Sequence, residues 1–389
     1  MIIAFEILAS LTLMAWLYLW IFHGGFWRAD QLLPPARPSP SIKSKVVAVI
    51  PARNEADVIS KAISSVLSQD YPGLISVILV DDHSTDGTAE IAAQCARTHP
   101  HGAHLRIIKS KPLPSDWVGK MWAVNTGVHD AIRTDPDYLW LTDADIIHQP
   151  HVLGTLVKKA ETHRMALVSL MVMLHCQGLW ERLLIPAFVF FFQKLYPFPW
   201  INNPKSVISG AAGGCMLVRR TALEKAGGIE ALQKEIIDDC ALGRRLKQHG
   251  PIWLGLTRDS LSIRPYEGIG DIWKMVARSA FTQLRYSTVL LIGTLLGLGI
   301  LYLAPPFLIL SLPWHGQLLV AGLGALAWGI MMFIYRPTLR LYQQPFWCAV
   351  FLPLAGALYA LMTLDSARQY WCGKGGQWKG RAQAQTSSS

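Results

Sequence analysis

The chain has 389 residues, of which 51% are hydrophobic and only 16% charged, where about 25% charged is usual. Lys and Arg (36) outnumber Asp and Glu (26), for a net charge of +10. This composition excludes a disordered protein and argues against an ordinary soluble enzyme, while the 15 Trp and 23 Pro argue against a simple transporter bundle.

The first element is apolar. Residues 2–27 carry one charge, Glu6, and predict a membrane span over about 4–23, because ~20 apolar residues match a bilayer core about 30 Å thick. A basic leader and a small-residue cleavage site are missing and the apolar stretch is too long, so it reads as a retained span rather than a signal peptide. Arg28, Arg37, Lys43 and Lys45 follow it and, by the positive-inside rule, keep the long middle region in the cytoplasm.

That middle region alternates strand and helix signals. Residues 45–50 (KVVAVI) form a β-branched run suited to a buried parallel strand, closed by Pro51-Ala52-Arg53-Asn54-Glu55. A helix is expected over 57–67, from the spacing of Val58, Ile59, Ala62, Ile63, Val66 and Leu67. A second strand, 76–80, ends in Asp81-Asp82-His83-Ser84-Thr85-Asp86-Gly87-Thr88, where Thr85 or Asp86 caps a helix over 88–96. A third strand is expected at 105–108, and a fourth, 137–142, ends at Asp143-Ala144-Asp145. The alternation predicts an α/β, doubly wound sheet whose ligand crevice lies beyond the carboxyl ends of the strands, where these carboxylates stand. Asp143 and Asp145 aim two hard oxygen ligands at one point, which suits Mg²⁺ or Mn²⁺ on a diphosphate; a solvated turn is the bland alternative. No Walker loop, GxGxxG, GxSxG or HExxH pattern supports a P-loop, dinucleotide or hydrolase reading.

Residues 179–200 are aromatic-rich, with charges near their start and at Lys194. An interfacial helix in the headgroup plane fits them, with a buried core helix as the alternative, and residues 272–285 read the same way. Residues 289–335 and 341–364 contain no Asp, Glu, Lys or Arg. They predict membrane segments near 289–311, 317–335 and 346–364, interrupted by Pro305-Pro306 and Pro353. The loop at 313–317 suits the outside, and Arg336 and Arg340 suit the inside. Arg368, Lys374, Lys379 and Arg381 then fall outside if all three segments cross, so either the last is re-entrant or the rule fails here. With no charge inside these segments, a transporter or channel has no ion pathway.

The six Cys form no CxxC pair and read as reduced, structural thiols, and the 12 His show no metal-ligand spacing. The basic excess suits anionic lipid headgroups and a phosphorylated donor. No basic stripe interleaved with stacking aromatics points to nucleic acid, and none is expected as a partner.

Taken in order, these motifs resemble the inverting family 2 glycosyltransferases over about residues 46–286. Pro51-Ala52-Arg53-Asn54-Glu55 is similar to the family's opening loop, residues 80–88 to its VDDxSxDxT segment, and Asp143-Ala144-Asp145 to its DxD. Asp238-Asp239 with Leu242-Gly243 resembles EDxxLG, with Asp238 replacing Glu. Arg285-Tyr286 falls where membrane members carry (Q/R)xxRW, with Thr282 and Tyr286 departing from the pattern. The flanking spans, the segment 116–122 and the tail 377–381 narrow the resemblance to the hopene-associated glycosyltransferases of bacteria. Ceramide glucosyltransferases and carotenoid-pathway glycosyltransferases are more distant.

The resemblance implies a GT-A, Rossmann-like nucleotide-diphospho-sugar transferase domain over 44–265. An N-terminal membrane helix (1–27) precedes it; an interfacial segment (266–288), C-terminal membrane segments (289–364) and a basic tail (365–389) follow, in a multi-pass protein of a bacterial inner membrane. It further implies that a nucleotide-diphosphate sugar, a UDP-sugar by preference, contacts Pro51, Ala52, Arg53, Glu55, Asp81, Asp82, Lys120, Asp143, Asp238 and Arg285. A divalent metal would sit on Asp143 and Asp145, and Asp239 would be the general base toward a membrane lipid hydroxyl. A hopanoid is the expected acceptor, and a carotenoid, a sphingolipid-like lipid or a polyprenyl phosphate are alternatives.

Other readings remain at particular positions. Asp238 and Asp239 suit helix caps, Lys120 a solvated surface lysine and Arg285 a headgroup anchor. Residues 209–214 read equally as a glycine-forced turn or as a loop shaping the sugar pocket. At the level of the whole chain, the competing class is a catalytically inactive GT-A scaffold in a lipid-synthesis complex. A processive polysaccharide synthase has too few spans here for a polymer channel.

Overall fold

The computed structural model describes residues 2–34, 43–233, 235 and 237–373, and the backbone of 377–378 and 381–382. Arg37, Lys374 and Lys379, and the side chain of Arg381, lie outside the described residues. The chain divides into two units. An α/β unit comprises residues 31–175 and 200–264 with 376–389; a helical unit comprises 1–30, 176–199 and 265–375.

The α/β unit is built on an eight-stranded sheet. Its strands are β1 (Val46–Ala52), β2 (Ile75–Asp81), β3 (Leu105–Lys109), β4 (Tyr138–Thr142), β5 (Ile146–His148), β6 (Leu167–Met173), β7 (Cys215–Arg219) and β8 (Ile252–Ser262). Their order is β3-β2-β1-β4-β7-β6-β8-β5. All seven residues of β1 are buried, as required of a strand covered on both faces. The four expected strands are present and parallel. The sheet is mixed α/β, as expected of the fold class, with antiparallel strands added beyond the parallel part. Beyond β4 the chain inserts β7 antiparallel to both β4 and β6, and β5 runs antiparallel to β8 at the far edge. Parallel pairing requires a crossover connection; beyond β4 it recurs between β6 and β8, while β7 and β5 pair antiparallel.

Helices fill the faces. Gly119–Ile132 packs on β1 and β2 through Gly127, where an added Cβ would run into Val49 and lie 2.8 Å from the Val80 side chain. The helix Thr88–Thr98 begins after Gly87, which takes the N-cap position at φ +87°. That differs from the expected Thr85 or Asp86 cap because only glycine enters this left-handed conformation freely. Asp86 still contributes, as its Oδ1 accepts from the Thr88 N–H at 3.1 Å.

Among the described residues of the helical unit, four helices are long and apolar enough to cross a membrane: Ile2–Ile21, Thr288–Leu310, Leu318–Leu341 and Phe346–Trp371. The prolines change the local helix type instead of ending these segments. A π-helical turn, Gly299–Leu303, precedes Pro305, and a 3₁₀ stretch, Phe346–Phe351, precedes Pro353, with each proline in the first turn of the α-helical part that follows. The Thr12 hydroxyl and the Trp16 indole donate to the carbonyls of Ile300 and Leu301, each at 2.7 Å. The helix Leu179–Leu195 buries Leu184, Ile185, Val189 and Phe190 and leaves Leu179, Trp180 and Leu195 exposed.

Candidate active site

The carboxyl ends of β1, β2 and β4 converge, and the residues found there are polar although the strands behind them are not. Pro51 and Ala52 end β1 and are buried. The Arg53 guanidinium donates to the Asp82 carbonyl oxygen at 2.6 Å. Asp82 is fully buried, its Oδ1 accepting from the Ser110 hydroxyl at 2.7 Å. Asp81 ends β2 and accepts from the Ser84 N–H at 3.2 Å. The Glu55 N–H donates to the Thr88 hydroxyl at 2.8 Å. These contacts fix one loop against the next.

A small recess opens beside this rim. Pro51, Lys120, Asp143, Gly213 and Asp238 are among the residues lining it. Lys120 stands in the first turn of Gly119–Ile132, and its ammonium lies 2.7 Å from Asp143 Oδ1. Burial alone would lower the Lys120 pKa, but Asp143, Asp238 and Asp239 together hold it above its ordinary value. Lys120 is therefore a fixed cation in a ring of carboxylates.

Asp238 and Asp239 open the helix Asp238–Lys247. Both Asp239 oxygens are held by backbone: Oδ2 accepts from the Gly213 N–H at 2.9 Å and Oδ1 from the Cys240 N–H at 2.7 Å. Burial and then the neighbouring Asp238 charge push its pKa up to about 6, against the opposing pull of Cys240, Lys120 and Gly213. The loop 209–214 thus lies at the recess. Gly213 supplies the donor, and Gly214 has a separate reason to be glycine, since a Cβ there would lie 2.9 Å from Val172.

Asp145 follows β4 and leads into β5. Burial, followed by the charge of Asp143, raises its pKa. Two carboxylates that repel one another form an incomplete donor set, and Mg²⁺ is usually held by one or two carboxylates together with substrate phosphates. Among the described residues no three His, Cys, Asp or Glu side chains form a metal cage, and Asp143 and Asp145 by themselves supply two carboxylates.

The structure also brings in residues that the motifs did not single out. The Ser262 hydroxyl donates to Asp145 Oδ2 at 3.2 Å. Arg264 ion-pairs with Glu55 and approaches Asp145 Oδ2 at 3.5 Å. Behind Asp143, Thr142 donates to the Gly214 carbonyl at 2.9 Å and meets His148 Nε2 at 2.9 Å, while His148 Nδ1 meets the Ser260 hydroxyl at 2.8 Å. Since the single Thr142 proton goes to Gly214, His148 carries its proton on Nε2. The available signal was the period-two pattern Ser260-x-Ser262-x-Arg264 on β8 and just past it.

Arg285 belongs to the helical unit. It and Tyr286 are consecutive residues at φ +52° and +56°. Tyr286 stacks on Tyr370 with ring centroids 4.3 Å apart, and its hydroxyl accepts from Thr282 at 3.1 Å.

Residues 47–227 match the family model described as glycosyl transferase family 2. An uncharacterised glycosyltransferase of Nostoc sp. is 31% identical over 118 residues, covering 30% of this chain and 33% of the relative. The 4,4'-diaponeurosporenoate glycosyltransferase of Staphylococcus haemolyticus is 32% identical over 111 residues, covering 28% of this chain and 27% of the relative. The matched segments thus span a third or less of these relatives' length. Among solved structures, the mannosyltransferase PcManGT of Pyrobaculum calidifontis, in complex with GDP-Man and Mn²⁺, matches 93% of this chain and 99% of its own. Its TM-score is 0.52 at 19% identity, a likeness of fold.

Proposed function

We propose that this chain, which carries a glycosyltransferase family 2 domain of the GT-A fold, moves a sugar from a nucleotide diphosphate to a lipid hydroxyl with inversion. The observation that carries this reading is Asp239: a carboxylate of raised basicity, pinned by two N–H groups, one of them from Gly213, which lines the recess together with Asp143, Lys120 and Asp238.

In this reading Arg53, Glu55, Asp81 and Asp82 receive the nucleotide, with Pro51 and Ala52 forming the floor beneath it. Lys120 pairs with the diphosphate, a charge-assisted contact. Asp143 and Asp145 would hold a divalent metal, whose Lewis acidity would stabilise charge on the departing diphosphate. Asp239 takes the proton from the acceptor hydroxyl as that oxygen bonds to C1. The C1–O bond to the diphosphate breaks in the same step, and its electron pair leaves with the nucleotide diphosphate. No second carboxylate is assigned as a nucleophile, so one displacement inverts the anomeric carbon.

The four long apolar helices support membrane association and favour a lipid acceptor. The Staphylococcus relative is named for glycosylating diaponeurosporenoate, which keeps a carotenoid acceptor beside the hopanoid, sphingolipid-like and polyprenyl phosphate choices. The test is incubation of the purified chain with radiolabelled nucleotide sugars, a divalent metal and total lipid extract, followed by identification of the labelled lipid. Transfer by wild type that Asp239→Asn abolishes supports the reading; equal release of nucleotide diphosphate by both removes the base assignment. No transfer with any donor leaves the inactive scaffold.

A further inference from the structure

Resting on the donor-site reading above, we infer that Arg264 is the resident counter-ion of Asp145, a positioning residue that makes metal binding depend on the nucleotide diphosphate.

The placement follows from strand pairing. β5 runs antiparallel to β8 with Ile146 opposite Ser262, and the Ile263 N–H donates to the Asp145 carbonyl at 2.9 Å. Side chains alternate along a strand, so Ser260, Ser262 and Arg264 fall on one side. Ser260 meets His148, Ser262 donates to Asp145, and Arg264 bridges Asp145 and Glu55.

Each aspartate of the pair therefore has its own cation, Lys120 on Asp143 and Arg264 on Asp145. A divalent ion arriving alone competes with Lys120 at Asp143 and with an Arg264 shared between Glu55 and Asp145, and its gain is reduced by whatever it takes from these cations. A diphosphate changes this balance, because it offers Arg264 a new acceptor that suits its planar fork of donors. Glu55 sets the balance from the other side: it draws Arg264 away from Asp145 and so leaves that carboxylate partly available. Metal and nucleotide then strengthen each other's binding by the same factor, as linkage requires.

The test is a Mn²⁺ titration of the full chain in detergent, read by electron paramagnetic resonance, without nucleotide and with UDP or GDP. Wild type is expected to bind Mn²⁺ weakly alone and more tightly with a nucleotide diphosphate. Arg264→Gln is expected to bind Mn²⁺ alone about tenfold more tightly, the scale on which partners of metal ligands act, and to lose most of the nucleotide enhancement. Glu55→Gln should bind Mn²⁺ alone more weakly, because Arg264 is left to Asp145. Opposite signs in two variants cannot arise from misfolding. Unchanged or weakened Mn²⁺ binding in Arg264→Gln overturns the inference while the donor-site reading stands. If wild type binds no Mn²⁺ even with UDP or GDP, the metal reading itself falls and this inference falls with it.

Discussion

The Gly213 N–H points at Asp239 Oδ2 across 2.9 Å, so a glycine that lines the recess orients the carboxylate beside it. With the Cys240 N–H on Oδ1 at 2.7 Å, the carboxylate is held in a single orientation. An asparagine cannot accept a proton there and can satisfy only one of the two donors. Asp239→Asn should lower kcat by about 10²–10⁴, the usual range for a general base, with donor KM little changed. Gly213→Ala should keep most activity, because its Cβ would stand at an ordinary 3.5 Å from Oδ2 and its N–H is retained. Sugar transfer to the labelled lipid measures both.

The pH profile should carry the same signature. Burial and Asp238 push the Asp239 pKa up to about 6, and a base works only when ionised. The rate should therefore rise with pH through about 6 and level off above it. Lys120 is one of the groups pulling that pKa down, so Lys120→Met should move the limb to higher pH, whereas Lys120→Arg should leave it near its original position. A Lys120→Met profile whose limb moves to lower pH contradicts the arrangement.

How far the sequence anticipates this site depends on what each residue relies upon. Asp81, Asp82, Asp143 and Asp145 stand directly after strands whose β-branched and apolar runs are local signals, so both the strands and their ends are readable. β6, β7 and β8 are not readable in the same way. β8 carries Thr257, Arg258, Asp259 and Ser260 within its length, which breaks the apolar run, and β7 starts directly after a glycine pair. Arg264 and Ser262 acquire their partners only when β8 pairs with β5, a contact between distant segments. Asp239 is visible as a motif, but its Gly213 donor comes from a loop that reads equally as a turn.

Packing at the helix under β1 gives a stability prediction. Gly127 faces Val49 and Val80, and an alanine Cβ would collide with Val49 and lie 2.8 Å from Val80. Alanine gains about 1 kcal/mol of helix propensity over glycine, but overpacking a close-packed core costs about 1–3 kcal/mol. Because both neighbours are β-branched and fully or nearly buried, the cost wins. Gly127→Ala should lower the unfolding temperature, and adding Val49→Ala should recover much of the loss. Thermal unfolding of both variants in detergent checks this.

Buried His148 and half-buried Asp239 bind protons in opposite senses. Burial holds the His148 imidazole down at about 3, from an ordinary 6.5. Between those values the folded chain binds fewer protons than the unfolded chain, so the His148 contribution is present above pH 6.5 and is lost as pH falls. Asp239 is raised from 3.8 to about 6, so its contribution is present below the unfolded value and is lost as pH rises toward 6. The two slopes oppose each other across the same window. The His148 side chain is locked between Thr142 and Ser260, so its neutral form should give the wild type a stability contribution that is lost on acidification and that Asp239 opposes. His148→Gln should flatten or reverse that loss, and Asp239→Asn should steepen it by removing the compensating group. Unfolding temperatures measured between pH 4 and 8 for the three proteins decide the matter. A steeper acid loss in His148→Gln than in wild type contradicts a neutral His148 behind Asp143.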